Sequence, residues 1–206
     1  MERCVIVGGA PINDYDRIRS LLEEDDYMIY CDSGLKSMEE LGRKADLIVG
    51  DFDSAEDPHL DVETIVLPCE KDDTDTVYAV KEAVKRGYEN FLLIGVCGAR
   101  LDHTLGNISI LLYLDSISKK GMIVDDYSVM EIVSKETAYI DDQYEYFSLI
   151  NISGCAEGVT IRNAKYPLED AVITTEYQYG ISNEVLKGKT ASVSVKNGSL
   201  LLIKIN

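Results

Sequence analysis

Leu47-Ile48-Val49-Gly50-Asp51-Phe52-Asp53-Ser54 decides how this chain is read: a short continuous apolar run that breaks directly into paired carboxylates. A run of this kind reads as a strand buried on both faces, as in a parallel sheet, with the acidic residues at its carboxyl end. The pattern recurs on either side. Tyr27-Met28-Ile29-Tyr30 leads into Cys31-Asp32-Ser33-Gly34, and Thr64-Ile65-Val66-Leu67 leads through Pro68 into Glu70-Lys71-Asp72-Asp73-Thr74-Asp75. Phe91-Leu92-Leu93-Ile94 leads into Gly98-Ala99-Arg100-Leu101-Asp102-His103.

Helical spacing lies between several of these runs. Asp14 to Leu22 places Ile18, Leu21 and Leu22 on one side. Leu35, Met38 and Leu41 space a short helix that Gly42 ends, and Thr74 to Arg86 carries Val77, Val80 and Val84 on one stripe with Gly87 at its end. A further stripe runs through Leu105, Ile108 and Leu112. Alternating strands and helices predict an α/β fold with a doubly wound, mostly parallel sheet, in which ligands bind beyond the carboxyl ends of the strands. All four acidic or polar motifs are therefore expected at one edge.

Near residue 125 the chain changes character. The later runs are short and β-rich: Val129 to Val133, Thr137 to Ile140, Tyr146 to Ile152, Val159 to Arg162, Ala171 to Thr175, Ala191 to Val195 and Leu200 to Ile205. Asn197-Gly198 between the last two predicts a hairpin, because both residues tolerate positive φ. The expected organisation is an α/β domain over 1–125 and a small all-β sandwich domain over 126–206.

Composition narrows the class. The chain has 206 residues, 46% apolar, enough to bury a large core. Its net charge of −17 disfavours nucleic-acid backbones as partners. The apolar run near Met1 is short for a signal peptide, and no stretch approaches the roughly 20 residues of a membrane span. Cysteines 4, 31, 69, 97 and 155 have no CxxC spacing and are odd in number, which predicts reduced thiols in a cytoplasmic protein with no membrane partner. Gly8-Gly9-Ala10-Pro11 lacks the GxGxxG spacing of a dinucleotide site and reads as an ordinary turn after the first strand.

The carboxylates point to magnesium and phosphate chemistry. Asp51 and Asp53, at i and i+2 beyond a strand, can both reach one hard cation, and Asp75 is a third candidate ligand. Among Asp72, Asp73 and Thr74, one residue caps the helix that follows, and Asp73 is assigned to capping or to support of the site. Lys71 and Arg100 suit phosphate oxygens, and for Arg100 that reading is favoured over its alternative, a surface ion pair. Asp102 reads as a helix cap or as a polar contact to a ligand. His103 is as well suited to a structural hydrogen bond as to proton transfer and is not assigned as a base. Asn107, one turn on, either faces the site or satisfies a backbone group.

The ordered set Cys31-Asp32-Ser33-Gly34, Gly50 to Ser54, Lys71 to Asp75, Gly98 to Asn107 and Gly180-Ile181-Ser182-Asn183-Glu184 resembles the thiamine pyrophosphokinases. The resemblance implies a catalytic α/β domain, a β-sandwich domain, and transfer of a pyrophosphoryl group from ATP to the hydroxyl of thiamine, giving thiamine diphosphate and AMP. It implies Mg2+, held by Asp51, Asp53 and Asp75, and a catalytic role for these three with Arg100. Asp32, Ser54, Lys71, Arg100 and Asp102 would bind ATP, and Thr74, Asp75, Ser182 and Asn183 would bind thiamine. A homodimer with sites shared between subunits is also implied. Some members offer a tryptophan near the Ser182 segment; this chain has none, leaving Tyr177 and Tyr179 as replacements. Another ATP-dependent kinase, a phosphohydrolase or a thiamine or nucleotide sensor are the alternatives.

Overall fold

A computed structural model describes residues 3–52, 61–70, 72–98 and 100–206. The chain divides into two compact units, Met1–Asp126 and Tyr127–Asn206. In the first, β1 (Cys4–Val7), α1 (Tyr15–Ser20), β2 (Tyr27–Cys31), a 3₁₀ turn (Asp32–Ser37) continuing into α2 (Met38–Leu41) and β3 (Leu47–Gly50) come first. β4 (Glu63–Val66), α3 (Asp75–Lys85), β5 (Asn90–Ile94), α4 (Leu101–Ser116) and β6 (Lys120–Val124) follow.

These six strands lie in the order β6-β5-β1-β2-β3-β4, and every pairing among them is parallel. The order runs outward from β1 in one direction through β4 and then restarts on its other side with β5, so the sheet is doubly wound with a switch point between β1 and β5. Every residue of β1 and β3 is buried, as continuous apolar strands in a covered parallel sheet require. β4 departs from that reading. It is the edge strand, with Val66 65% exposed, and only the following Leu67 is buried.

The helices keep their expected ends better than their expected faces. Asp14 caps α1 by accepting from Arg17 N at 3.0 Å, and Gly42, at φ 64°, ends α2. α3 buries Ala79, Val80 and Ala83, the two alanines allowing close approach to the sheet, while Val77 and Val84 flank that contact half-buried. In α4 the stripe of Leu105, Ile108 and Leu112 is not the buried face. Asn107, Ile110, Leu111 and Leu114 face the core, and Leu105 is 56% exposed. The helix is apolar around most of its circumference, so spacing alone supports more than one face.

The second unit contains β7 (Ser128–Val133), β8 (Ala138–Asp141), β9 (Tyr146–Asn151), β10 (Cys155–Arg162), β11 (Leu168–Thr174), β12 (Gly180–Asn183), β13 (Thr190–Ser194) and β14 (Leu200–Ile205). Two antiparallel sheets form, β12-β9-β14-β7 and β11-β10-β13-β8. Phe147, Leu149, Leu200 and Leu202 from one sheet meet Ile140, Val159, Ile161, Ile173 and Val193 from the other in a single buried cluster. Burying one side chain of the size of Phe147 is favourable by about 2–3 kcal/mol.

Asn197-Gly198 does not close a hairpin. β13 pairs with β10 and β8, whereas β14 pairs with β7 and β9, so this turn carries the chain from one sheet of the sandwich to the other. Glycine is demanded there twice over: Gly198 has φ 88°, and a Cβ would stand 2.4 Å from the Cys155 carbonyl oxygen. Gly188 has φ 72° with nothing within 4 Å of that position. Gly198→Ala is expected to destabilise the protein by about 2–4 kcal/mol, against about 1 kcal/mol for Gly188→Ala. Urea unfolding of the two variants checks the difference; equal losses would show that the close approach is unimportant.

Candidate active site

The carboxyl ends of the parallel strands open onto a cleft of about 490 Å³. Its walls are Gly8 to Pro11 after β1, Cys31 to Ser33 after β2, Asp51 after β3, Cys69 and Asp73 to Thr76 around the start of α3, Gly95, Val96 and Gly98 after β5, and Arg100, His103 and Asn107 of the α4 region. The motifs therefore do converge at the switch point, where the loops after β1 and β5 diverge and leave a crevice.

The floor of the crevice rests on a backbone approach. Gly8 N donates to Ile94 O at 2.9 Å and Ala10 N donates to Gly95 O at 2.8 Å, while a Cβ on Gly8 would lie 2.6 Å from Gly95 O. Gly8-Gly9 is thus more than the ordinary turn expected from the sequence. Adjacent glycines directly after a fully buried strand were the available signal.

Asp32 stands at φ 38° where β2 gives way to the 3₁₀ turn. Its Oδ1 is buried without a hydrogen-bond partner among the described residues, which costs on the order of 1–3 kcal/mol unless a ligand satisfies it. Asp51 is half-buried at the end of β3, beside Phe52 with φ 52°, an uncommon backbone conformation for a bulky residue. Asp53, Ser54 and Lys71 lie outside the described residues. Asp75 opens α3, where the exposed amide groups of the first turn favour negative charge. Burial, followed by the carboxylate charges of Asp75 and Asp32, pushes the Cys31 thiol up and keeps it protonated.

Thr74, not Asp73, caps α3: its hydroxyl accepts from Val77 N at 3.3 Å. Asp73 instead pairs with Lys81 Nζ at 2.7 and 2.9 Å. Arg100 forks onto Asp102 at 2.6 and 3.0 Å, both side chains being largely exposed. That hydrogen bond holds the Asp102 carboxyl well below the usual carboxylate range. Asp102 sits in the first turn of α4 without capping it. His103 lines the cleft, and Asn107 satisfies the backbone, donating to Val96 O at 2.7 Å. Thr104, which the sequence did not single out, accepts from Gly98 N at 3.2 Å and donates to Arg100 O at 3.2 Å, tying the loop after β5 to α4.

In the sandwich unit, Ser182 is exposed with φ 56°. Asn183 is buried and engaged with the protein: its Oδ1 accepts from Tyr166 N at 3.0 Å and Glu184 N at 2.9 Å, and its Nδ2 donates to Tyr166 O at 2.8 Å. These bonds clamp the strand end at Asn183 to Tyr166. Tyr177 and Tyr179 have ring centroids 5.3 Å apart, and the Tyr179 hydroxyl donates to Val172 O at 2.6 Å. Among the described residues, no three His, Cys, Asp or Glu side chains cluster closely enough to hold a metal ion.

The loop after β1 is braced by Asp126. Its carboxylate accepts from Asn13 N at 3.0 and 3.1 Å, Asn13 Nδ2 at 2.7 Å and Asp14 N at 2.9 Å. Burial opposes ionisation, but the Asp14 and Asn13 donors outweigh it and the carboxyl pKa is lowered. Its folded value lies below an unfolded value of about 3.9, so the stabilisation is complete above that pH and lost as pH falls through the folded value. Asp126→Ala is expected to lower Tm by about 2–6 °C near neutrality, the gap closing below about pH 4. Thermal scans of both proteins across pH check this; a gap independent of pH would contradict it.

Comparison with known proteins accords with this arrangement. The family model "Thiamin pyrophosphokinase, catalytic domain" matches residues 18–124, and "Thiamin pyrophosphokinase, vitamin B1 binding domain" matches residues 131–200. The chain is 28% identical to Thiamine pyrophosphokinase of Bacillus subtilis (strain 168) over 212 residues, covering 99% of each chain. The crystal structure of the Bacillus subtilis protein superposes with a TM-score of 0.86 at 26% identity, covering 100% of this chain and 99% of that one. The Geobacillus thermodenitrificans structure gives 0.85 at 29% identity, covering 99% and 97%. With its catalytic and vitamin-binding portions both matched in order, the chain belongs to the thiamine pyrophosphokinase family.

Proposed function

We propose that this chain transfers the β,γ-diphosphoryl group of ATP to the hydroxyethyl oxygen of thiamine, releasing AMP. The observation that carries this reading is the convergence of Asp32, Asp51, Asp75 and Arg100 on one cleft at the switch point of a family-matched sheet. The hydroxyl oxygen forms a bond to the β-phosphorus as the bond from that phosphorus to the α-phosphate oxygen breaks. The electron pair leaves on AMP, and the hydroxyl proton passes to solvent or to a base that we do not assign.

A triphosphate carries about four negative charges, and a cleft lined by carboxylates would repel it unless cations intervene. The donor set suits Mg2+: the carboxylates are hard oxygen ligands, and Asp32 presents a buried oxygen without a protein partner among the described residues. Asp51 and Asp75, with Asp53, would hold the ion. When bound, it supplies charge neutralisation to the phosphates. Arg100 turns its fork from Asp102 to phosphate oxygens, a change made easy by the exposure of the pair, since solvent screens such a surface ion pair. Ser54, Lys71 and Asp102 complete the nucleotide contacts in this reading.

Thiamine is assigned to Thr74 and Asp75 at the start of α3 and to Ser182 and Asn183 in the sandwich unit, whose segment 131–200 matches the vitamin B1 binding model. The Thr74 hydroxyl is engaged as an acceptor in its cap and retains its proton to donate. We further propose a homodimer in which one subunit contributes the acidic cleft and its partner contributes Ser182. A cytoplasmic location accords with five free cysteines.

Asp51→Asn is expected to fold normally and lose at least about a hundredfold in turnover of ATP with thiamine and Mg2+. Near-normal turnover would remove Asp51 from the metal site. Ser182→Arg adds bulk and positive charge against a cationic substrate and is expected to be inactive. Mixing the inactive Asp51→Asn and Ser182→Arg chains should restore part of the activity, because a mixed dimer holds one site with both contributions intact. No recovery after demonstrated subunit exchange would overturn the shared site.

A further inference from the structure

β12 pairs with β9 through Gly180 opposite Leu149 and Asn183 opposite Phe147, with a register shift between them. Two residues, Ile181 and Ser182, therefore stand opposite the single residue Ser148. This is the geometry of a β-bulge, in which the extra residue loses its ladder partner and its side chain is redirected. Ser182 is that residue in the left-handed region, at φ 56°, where a non-glycine residue persists only if its surroundings hold it.

Two contacts hold it. The Ser182 N–H, which the bulge leaves without a carbonyl across the ladder, donates to the Ser148 Oγ at 3.0 Å. Ser148 lies in the middle of β9 and is 5% exposed, so its hydroxyl is fixed by the sheet. On the other side, Asn183 locks the next residue to both the N–H and the carbonyl of Tyr166. Ser182 itself remains exposed, its side chain presented outward from a rigid mount.

We propose that Ser148 is a positioning residue for thiamine: by supplying the missing acceptor across the bulge, it holds Ser182 in its left-handed conformation and sets the direction of the hydroxyl that meets the substrate. The proposal rests on the assignment of Ser182 to thiamine given above. Its signature is a change in thiamine recognition without a change in nucleotide recognition, transmitted wholly through Ser182.

The test is steady-state kinetics of Ser148→Ala, Ser148→Thr, Ser182→Ala and the Ser148→Ala/Ser182→Ala double variant, with Tm recorded for each. Ser148→Ala is expected to raise the KM for thiamine about tenfold, as loss of one hydrogen bond implies, with kcat and the KM for ATP within about twofold of wild type. Ser148→Thr retains the oxygen and should restore the thiamine KM. In the Ser182→Ala background, adding Ser148→Ala should have no further effect, whereas a general loosening of the sandwich would act in both backgrounds. A normal thiamine KM in Ser148→Ala beside a raised one in Ser182→Ala would overturn the positioning role alone, and so would additive effects in the double variant. A normal thiamine KM in Ser182→Ala would overturn the Ser182 assignment together with the positioning role.

Discussion

The position of β1 between β2 and β5 is the constraint from which the site follows. Parallel strands require crossovers, and a chain that winds outward from β1 on one side and then on the other must send the loops after β1 and β5 in different directions. The contact of Gly8 with Gly95, closed by backbone hydrogen bonds on either side, is the seam at which they part. A side chain at Gly8 would force that seam apart. The cleft is thus a product of topology, and the loops after β2, β3 and β5 and the start of α3 supply its chemistry.

Rigid strands and local caps then fix the charges. Asp32 and Asp51 follow immediately upon strands whose last residues are wholly buried, so their backbones inherit the order of the sheet. Thr74 sets where α3 begins and thereby places Asp75 in its first turn. Arg100 is held differently, by an exposed partner two residues away, in a loop that Thr104 ties to α4. Fixed acids beside an exchangeable cation suit a site that must accept and release a highly charged nucleotide.

Much of this was legible because it is local. Continuous apolar runs announced β1 to β3 and β5, and Asp14, Gly42 and Thr74 lie where helix ends require them. What could not be read depends on partners distant in sequence. Val66 is exposed because β4 happens to be the edge, and α4 turns Leu111 rather than Leu105 inward because several of its faces are apolar. Asn197-Gly198 has the composition of a hairpin, yet the sheets to which β13 and β14 belong are decided by pairings with β8, β10, β7 and β9. Asn183 was legible as a member of a motif but not as a clamp, since its partner Tyr166 lies 17 residues away. The bulge that redirects Ser182 was hidden for the same reason.

The central claim is that this cleft moves two phosphoryl groups together, and phosphorus NMR of the purified protein with ATP, thiamine and Mg2+ addresses it directly. The account predicts that the α-phosphorus of ATP appears in AMP while the β- and γ-phosphorus appear together as the coupled pair of thiamine diphosphate, with no reaction of ATP in the absence of thiamine. Formation of ADP with a thiamine monophosphate, or of ADP and inorganic phosphate whether or not thiamine is present, would contradict it.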